Sequence, residues 1–127
     1  MRVVHIGVLL ALGCSVAQAS WFPVAAQDHA KSYVEPTSTE RSGHLVKVVV
    51  MIDLDRQQPT GGKLVSSLEL KKEFNCKNEK QRTLSSTAFS GRMGGGRPLI
   101  SIHESESWDS IIPGSMSVDE FKFACTF

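Results

Sequence analysis

The chain has 127 residues, of which 41% are hydrophobic and 21% charged, a balance typical of one folded domain and not of a disordered segment. The formal net charge is +1, and Arg2 lies in a segment that we expect to be removed, so the mature protein is close to neutral. Near-neutrality argues against a nucleic-acid-binding protein or a binder of anionic membranes, because both need an excess of basic residues.

The first 19 residues have the three-part pattern of a secretory signal peptide. Arg2 supplies a positive charge, residues 3–13 are mostly apolar, and Ala17-Gln18-Ala19 is an A-x-A cleavage site. We therefore predict cleavage between Ala19 and Ser20. The apolar run has about 11 residues, whereas a membrane-spanning helix needs about 20, so we expect no membrane span after cleavage.

Cys14 is an alternative processing site. Gly13-Cys14 partly resembles the cleavage site of a bacterial lipoprotein, but Ala11 stands where such sites usually carry leucine. The A-x-A site fits better. In either case we predict an exported protein in the periplasm or at the cell surface, with an outer-membrane lipoprotein as the less favoured form.

The mature chain opens with short predicted strands. These are Trp21–Ala25 and Lys31–Val34, and residues 37–43 are predicted to be a polar loop. The longest predicted strand is His44–Leu54. Its aliphatic residues at every second position form one apolar row: Val46, Val48, Val50, Ile52 and Leu54. The other row is charged in places but apolar in its middle, so we expect another segment to cover it there.

The next predicted strand, Ser66–Cys76, follows a polar connection over residues 55–62 and has one apolar and one polar side. Its apolar side contains Leu68, Leu70, Phe74 and Cys76. A charged turn leads to a strand over residues 81–90. The glycine-rich Gly91–Gly96 is then a hairpin loop, and residues 98–104, with Ile100 and Ile102 on one side, form the last predicted strand.

The chain ends in a predicted helix. Ser117 and Glu120 have the spacing of a capping box at its start. Val118, Phe121 and Cys125 recur at spacings of three and four, so they share the face that packs on the sheet. Successive strands followed by one helix predict an α+β fold: a single antiparallel sheet of about six strands with one C-terminal helix packed on a face.

Cys76 and Cys125 remain after cleavage, and two cysteines allow only one pairing. Cys76 lies on the core side of its strand, and Cys125 lies on the side of the helix that faces the sheet. We therefore predict a disulfide that tethers the helix to the sheet. The loop that it closes is long, so the bond would contribute about 4 kcal/mol in the chain-entropy account of disulfides.

No combination of residues predicts catalysis, a metal site or a cofactor. His103 and Glu104 are neighbours in a strand and point to opposite faces, which argues against a zinc site. Gly91–Gly96 lacks the Lys-Ser or Lys-Thr pair and the following helix of a phosphate-binding loop. The serines lack a G-x-S-x-G context, and both mature cysteines are expected to be oxidised. We predict a non-enzymatic protein.

Five segments resemble a known family. They are Tyr33-Val34-Glu35-Pro36, Glu73-Phe74-Asn75-Cys76, Arg82-Thr83-Leu84-Ser85-Ser86, the stretch from Trp108 to Ser115, and the terminal Cys125. Their order and spacing resemble the surface-adhesin protein E-like domain of Gram-negative bacteria, which would span residues 20–127. The resemblance implies an antiparallel sheet of about six strands, a C-terminal helix, and a disulfide that matches Cys76 and Cys125.

The resemblance also implies a function. The founding member is an outer-membrane lipoprotein adhesin that binds host extracellular-matrix proteins and can dimerise. We expect an exported module that recognises a host or envelope protein through the sheet or an edge strand. Tyr33 and Trp108 are candidate anchors, although aromatic residues in a domain of this composition more often belong to the core.

The alternative is a periplasmic small-ligand carrier or another envelope factor. A cavity between helix and sheet would favour the carrier. A solid core with an exposed apolar edge would favour protein binding.

Intact-mass analysis of the native protein tests the predicted processing. We expect a chain that begins at Ser20, because Ala17-Gln18-Ala19 is the better cleavage site. A diacylated chain that begins at Cys14 would contradict this prediction and would restore anchoring to the membrane.

Overall fold

Six consecutive strands form one antiparallel sheet, in which each strand pairs with the next along the chain. The computed structural model describes Gly7 and residues 20–126. The strands are β1 (Phe22–Gln27), β2 (Ala30–Ser42), β3 (Leu45–Thr60), β4 (Lys63–Asn75), β5 (Lys80–Phe89), β6 (Pro98–Ile102) and the short β7 (Asp109–Ser110), which pairs with the start of β5. The helix α1 (Met116–Cys125) follows. The predicted α+β fold is confirmed.

Two strands are longer than the sequence pattern predicts. The prediction of a loop over residues 37–43 is wrong, because β2 continues to Ser42. The prediction of a connection over residues 55–62 is also wrong for most of its length, because β3 continues to Thr60. The pairing of β2 with β3 shifts register between Glu35 and Glu40, and Ser38 Oγ accepts a hydrogen bond from Val49 N at 2.9 Å there. Such an irregular, polar stretch of strand has no alternating pattern from which it could be recognised.

α1 packs on one face of β1 to β4 and covers the apolar row of β3, as predicted. The core residues on this face are at most 1% exposed: Val34, Val46, Val48, Val50 and Phe74. Phe121 of α1 meets Phe74 edge-to-face, with 6.0 Å between the ring centroids. The interior between helix and sheet is therefore filled by side chains.

The predicted disulfide between Cys76 and Cys125 is present, with a sulfur–sulfur distance of 2.09 Å and 5.6 Å between the Cα atoms. It joins the residue that follows β4 to the last residue of α1. On the other side of the helix, the rings of Phe123 and Phe22 lie 5.7 Å apart, so α1 also contacts β1. The end of the chain is thus attached to the sheet at two places.

The predicted capping box is wrong. The N-cap of α1 is Ser115, whose hydroxyl donates to Ile112 O at 2.6 Å and makes no side-chain cap. Glu120 takes no part in capping, because its side chain turns towards the sheet and is 1% exposed. A glutamate three residues after a serine is typical of a capping box, but in the folded protein a buried cation on the sheet binds Glu120 instead.

That cation is Lys72 of β4. Its Nζ donates to Glu120 Oε1 at 2.6 Å and to Ser117 Oγ at 3.2 Å. Glu120 Oε2 accepts from Ser32 Oγ at 2.6 Å. Lys72 is 6% exposed and occupies a position in the core-facing row of β4, between Leu70 and Phe74. Buried charges are tolerated only when they are paired and hydrogen-bonded, and these four side chains satisfy that condition together.

Replacing Cys125 with serine tests the disulfide. We expect a loss of about 2–5 kcal/mol in the free energy of unfolding, the usual range for a native bond in a small exported domain. Hydrogen exchange should show weaker protection over residues 118–124 than in the strands, because a helix of 10 residues is marginal alone in water. Unchanged protection of the helix would show that the disulfide does not hold it.

Replacing Lys72 with methionine tests the buried ion pair. The variant leaves Glu120 buried without a counter-charge, so we expect a loss of about 3–5 kcal/mol in urea unfolding. A double variant, Lys72→Met with Glu120→Leu, should lose much less, because neither charge is then left unpaired. The matched control is Lys71→Met, an exposed neighbour on β4, with a change of about 0.5 kcal/mol or less. Equal stability of Lys72→Met and wild type would contradict the assignment.

Candidate functional site

Two rows of side chains cross the sheet on the face that carries α1. The strand register aligns one row across β3 to β6: Ile52, Leu68, Ala88 and Ile100. It aligns the neighbouring row in the same way: Val50, Leu70, Ser86 and Ile102. Opposed residues of antiparallel strands share a face, so the first row is apolar from β3 to β6, and the second row is apolar except for the hydroxyl group of Ser86.

The two rows extend beyond the helix. α1 packs against β1 to β4, and β6 lies further out in the sheet. Ile102 is 51% exposed, and Leu68, Leu70 and Ile100 are half-buried. We call these four residues the open apolar surface. Single exposed apolar residues are ordinary, but neighbouring ones in register on one face are typical of a contact surface.

The open apolar surface ends at β6, which is an edge of the sheet. Within residues 20–126, β6 pairs with β5 on one side and with no strand on the other. Pro98 begins the strand without an N–H group, and Leu99 O accepts a hydrogen bond from Lys63 Nζ at 2.9 Å. Proline and lysine are common protections of edge strands against unwanted pairing. The Lys63 contact is solvent-exposed, so a partner could replace it without breaking a strand pair.

β1, the other edge of the sheet, is less accessible. The ring contact between Phe22 and Phe123 attaches the end of α1 to it. The register shifts between Pro23 and Ala25, and Gln27 Nε2 donates to Gly114 O. A partner strand would therefore meet an irregular edge that other parts of the chain already contact.

The glycine-rich loop after β5 covers part of the opposite face. Asp53, which is 3% exposed, accepts hydrogen bonds from Arg92 Nε at 3.0 Å and from Met93 N at 2.8 Å. The hydrogen bonds to Asp53, and secondarily its charge, raise the pKa of Arg92 further above its ordinary value. Gly94 has a φ of +74°, and a Cβ there would lie 2.9 Å from Met51 Cε. The expectation that another segment covers the middle of this row of β3 is confirmed.

Trp108 lies on the surface and not in the core. It is 37% exposed, and its ring centroid lies 4.5 Å from the guanidinium carbon of Arg82. Arg82 also forms an ion pair with the buried Glu73, with 2.6 Å between Nη2 and Oε1. The ion pair with Glu73 therefore holds Arg82 in place against the ring of Trp108. Tyr33 is half-buried on the face opposite α1, in register with Met51, and lies apart from the open apolar surface.

Glu69 also lies on the face opposite α1, in register with Met51. Partial burial, and secondarily the charge of Glu35, raises the pKa of Glu69. No described contact assigns a role to this carboxylate.

His29, His44 and His103, the histidines of residues 20–126, are all exposed. His103 and Glu104 are exposed, and His29 Nδ1 lies 3.0 Å from Asp55 Oδ1. In the described part of the chain, no three His, Cys, Asp or Glu side chains are grouped so that they could hold a metal ion. The helix of residues 20–126 is too short to cross a bilayer.

The sequence indicated some of these features and missed others. It placed Ile100 and Ile102 on one side of the last strand, but it did not show that α1 leaves them uncovered. It gave no sign of Lys63, which lies in another hairpin and contacts β6 only through the fold. The lysine that interrupts the apolar row of β4 was the available signal for the buried pair of Lys72 and Glu120.

Comparisons with known proteins agree with this fold. The sequence model of the family described as surface-adhesin protein E matches residues 21–126. A crystal structure of Haemophilus influenzae protein E, in crystal form II, has a TM-score of 0.66 and 14% identity over 86% of this chain and 89% of that chain. Protein E from non-typeable Haemophilus influenzae has a TM-score of 0.61 and 13% identity over 88% and 79%. The comparison with curated sequences finds no match.

Proposed function

Because the chain belongs to the surface-adhesin protein E family, we propose that it is an exported, non-enzymatic binding module that recognises an extracellular-matrix or envelope protein. The observation that carries the proposal is the open apolar surface beside the free edge of β6. In this proposal the signal peptide is removed after Ala19, and residues 20–127 act outside the cytoplasm.

The proposed partner contributes an extended segment that pairs with β6 as an additional strand. Strand addition uses the main chain for affinity and alternate side chains for specificity. Apolar side chains on one side of the added segment would continue the two rows that end at Ile100 and Ile102. Polar side chains on its other side would remain in water.

The charges beside β6 favour a particular partner. Arg97 precedes the strand, whereas Glu104 and Glu106 follow it. A segment that carries an acidic residue near Arg97 and a basic residue near Glu104 would complement both ends. Such charge matching mainly selects the partner and its direction, while the apolar contact between them supplies affinity.

Lys63 adds a step to this binding. Its ammonium group donates to Leu99 O, at the position where the register between β5 and β6 shifts. An incoming N–H group would replace the ammonium group at that carbonyl. Lys63 would then protect the edge in the free protein without preventing the specific complex.

The carrier hypothesis has less support. A carrier needs an enclosed cavity, and the residues between α1 and the sheet are tightly buried, with Phe74 and Val50 at 0% exposure. A filled interior and an apolar edge favour recognition of a protein. Family membership likewise favours a binding protein over an enzyme.

The test is binding of the mature protein to immobilised laminin, fibronectin and collagen, measured by surface plasmon resonance. We expect saturable binding to at least one of these matrix proteins. Ile102→Glu should weaken it at least about tenfold, because a charge replaces the exposed apolar end of a row. The matched control is Ile112→Glu, since Ile112 is 67% exposed but lies outside the open apolar surface, and binding should be unchanged.

Sedimentation of the same variants separates partner binding from self-association, because a second copy could occupy the same edge. If none of the three matrix proteins shows saturable binding, recognition of the host matrix is contradicted. Equal affinities of wild type and Ile102→Glu, at equal thermal stability, would contradict the assignment of the surface.

A further inference from the structure

A second, separate cleft lies beside α1. It has a volume of about 510 Å³ and is formed by the turn between β4 and β5, the segment around Ile111, and the side of α1 that carries Val118 and Phe121. Ile111, Val118 and Phe121 supply apolar lining, and Glu79, Lys80 and Lys122 supply charges. None of its lining residues belongs to the open apolar surface. Clefts of this size with mainly apolar walls and a few polar groups are typical of small-molecule sites.

The walls of the cleft are held in place before any ligand arrives. Ile111 and Phe121 pack against the hydrophobic core. Gly114 O, in the segment that forms one wall, accepts a hydrogen bond from Gln27 of β1. Lys80 Nζ donates to Ser110 Oγ at 2.8 Å and connects two of the walls. A preformed site loses less conformational entropy when it binds.

The charges of the cleft are not neutralised within the protein. The ion pairs among residues 20–126 involve Lys72, Arg82, Arg92 and His29, and neither Lys80 nor Lys122 takes part in one. Lys80 has a neutral hydroxyl partner, and Glu79 supplies one carboxylate against the two ammonium groups. The cleft therefore combines an apolar lining with an excess of positive charge.

We propose that this cleft binds a small amphipathic organic anion. The aromatic or short aliphatic body of the ligand would lie on Val118, Phe121 and Ile111. Its carboxylate or sulfonate group would lie near Lys80 and Lys122. This inference does not depend on recognition of a protein by β6, since the two sites share no residue.

The probe for the test is 8-anilinonaphthalene-1-sulfonate, an aromatic anion whose fluorescence rises in apolar sites. We expect saturable binding of one molecule per folded mature protein at low ionic strength. Lys122→Glu should weaken binding about tenfold, because a repulsive charge replaces an attractive one. Glu79→Gln should strengthen it about twofold, because it removes a repulsive charge. Opposite effects of these two variants distinguish charge recognition from simple adhesion to apolar surface.

Two matched controls complete the experiment. Lys71→Glu makes the same charge change on an exposed position outside the cleft and should leave the dissociation constant unchanged. Ile102→Glu should also leave it unchanged, although this variant is expected to weaken the proposed contact of β6 with protein. Thermal melting verifies that each variant is folded. Absence of saturable binding, or equal affinity of Lys122→Glu, Glu79→Gln and wild type, would overturn the proposal.

Discussion

The buried contact between Lys72 of β4 and Glu120 of α1 determines where the helix lies on the sheet. The two charges are 2.6 Å apart, and each also binds a hydroxyl group, Ser117 or Ser32. Apolar packing alone is tolerant of small shifts, because many arrangements bury similar area. A buried ion pair does not tolerate such shifts, because any displacement that separates the two charges leaves each of them unpaired in an apolar interior. The disulfide then holds the other end of the helix at Cys76.

The position of the helix decides which surfaces remain available. Because α1 lies over β1 to β4, it covers the end of the two rows that lies on β3. The other end of both rows, on β6, is left uncovered. The same helix forms one wall of the cleft that contains Lys80 and Lys122. Both proposed sites are therefore consequences of one packing arrangement. They differ in chemistry, since the first is an edge that pairs with backbone and the second is a concave surface with excess positive charge.

On the opposite face of the sheet, hydrogen bonds with the strands hold the glycine-rich loop Gly91–Gly96 in one conformation. Asp53 and Ser67 bind the backbone of the glycine-rich loop, and Gly94 has a φ of +74°, a backbone conformation that residues other than glycine rarely adopt. The contact between Arg82 and Trp108 lies beside Glu73 on the same face.

The sequence by itself determined the α+β class, the order of the strands, the C-terminal helix and the disulfide, because alternation of apolar residues and the pairing of two cysteines are local or purely combinatorial signals. It also placed Ile100 and Ile102 on one side of their strand. Only the tertiary structure showed that Glu120 binds Lys72 and does not cap the helix, that β2 continues through a polar stretch, and that Lys63 contacts Leu99 of β6. The physical reason is that the contacts of Lys72 and Lys63 join residues far apart in the chain, and that the polar part of β2 has no alternating pattern, so a pattern within one segment carries no information about the partner that another segment brings to it.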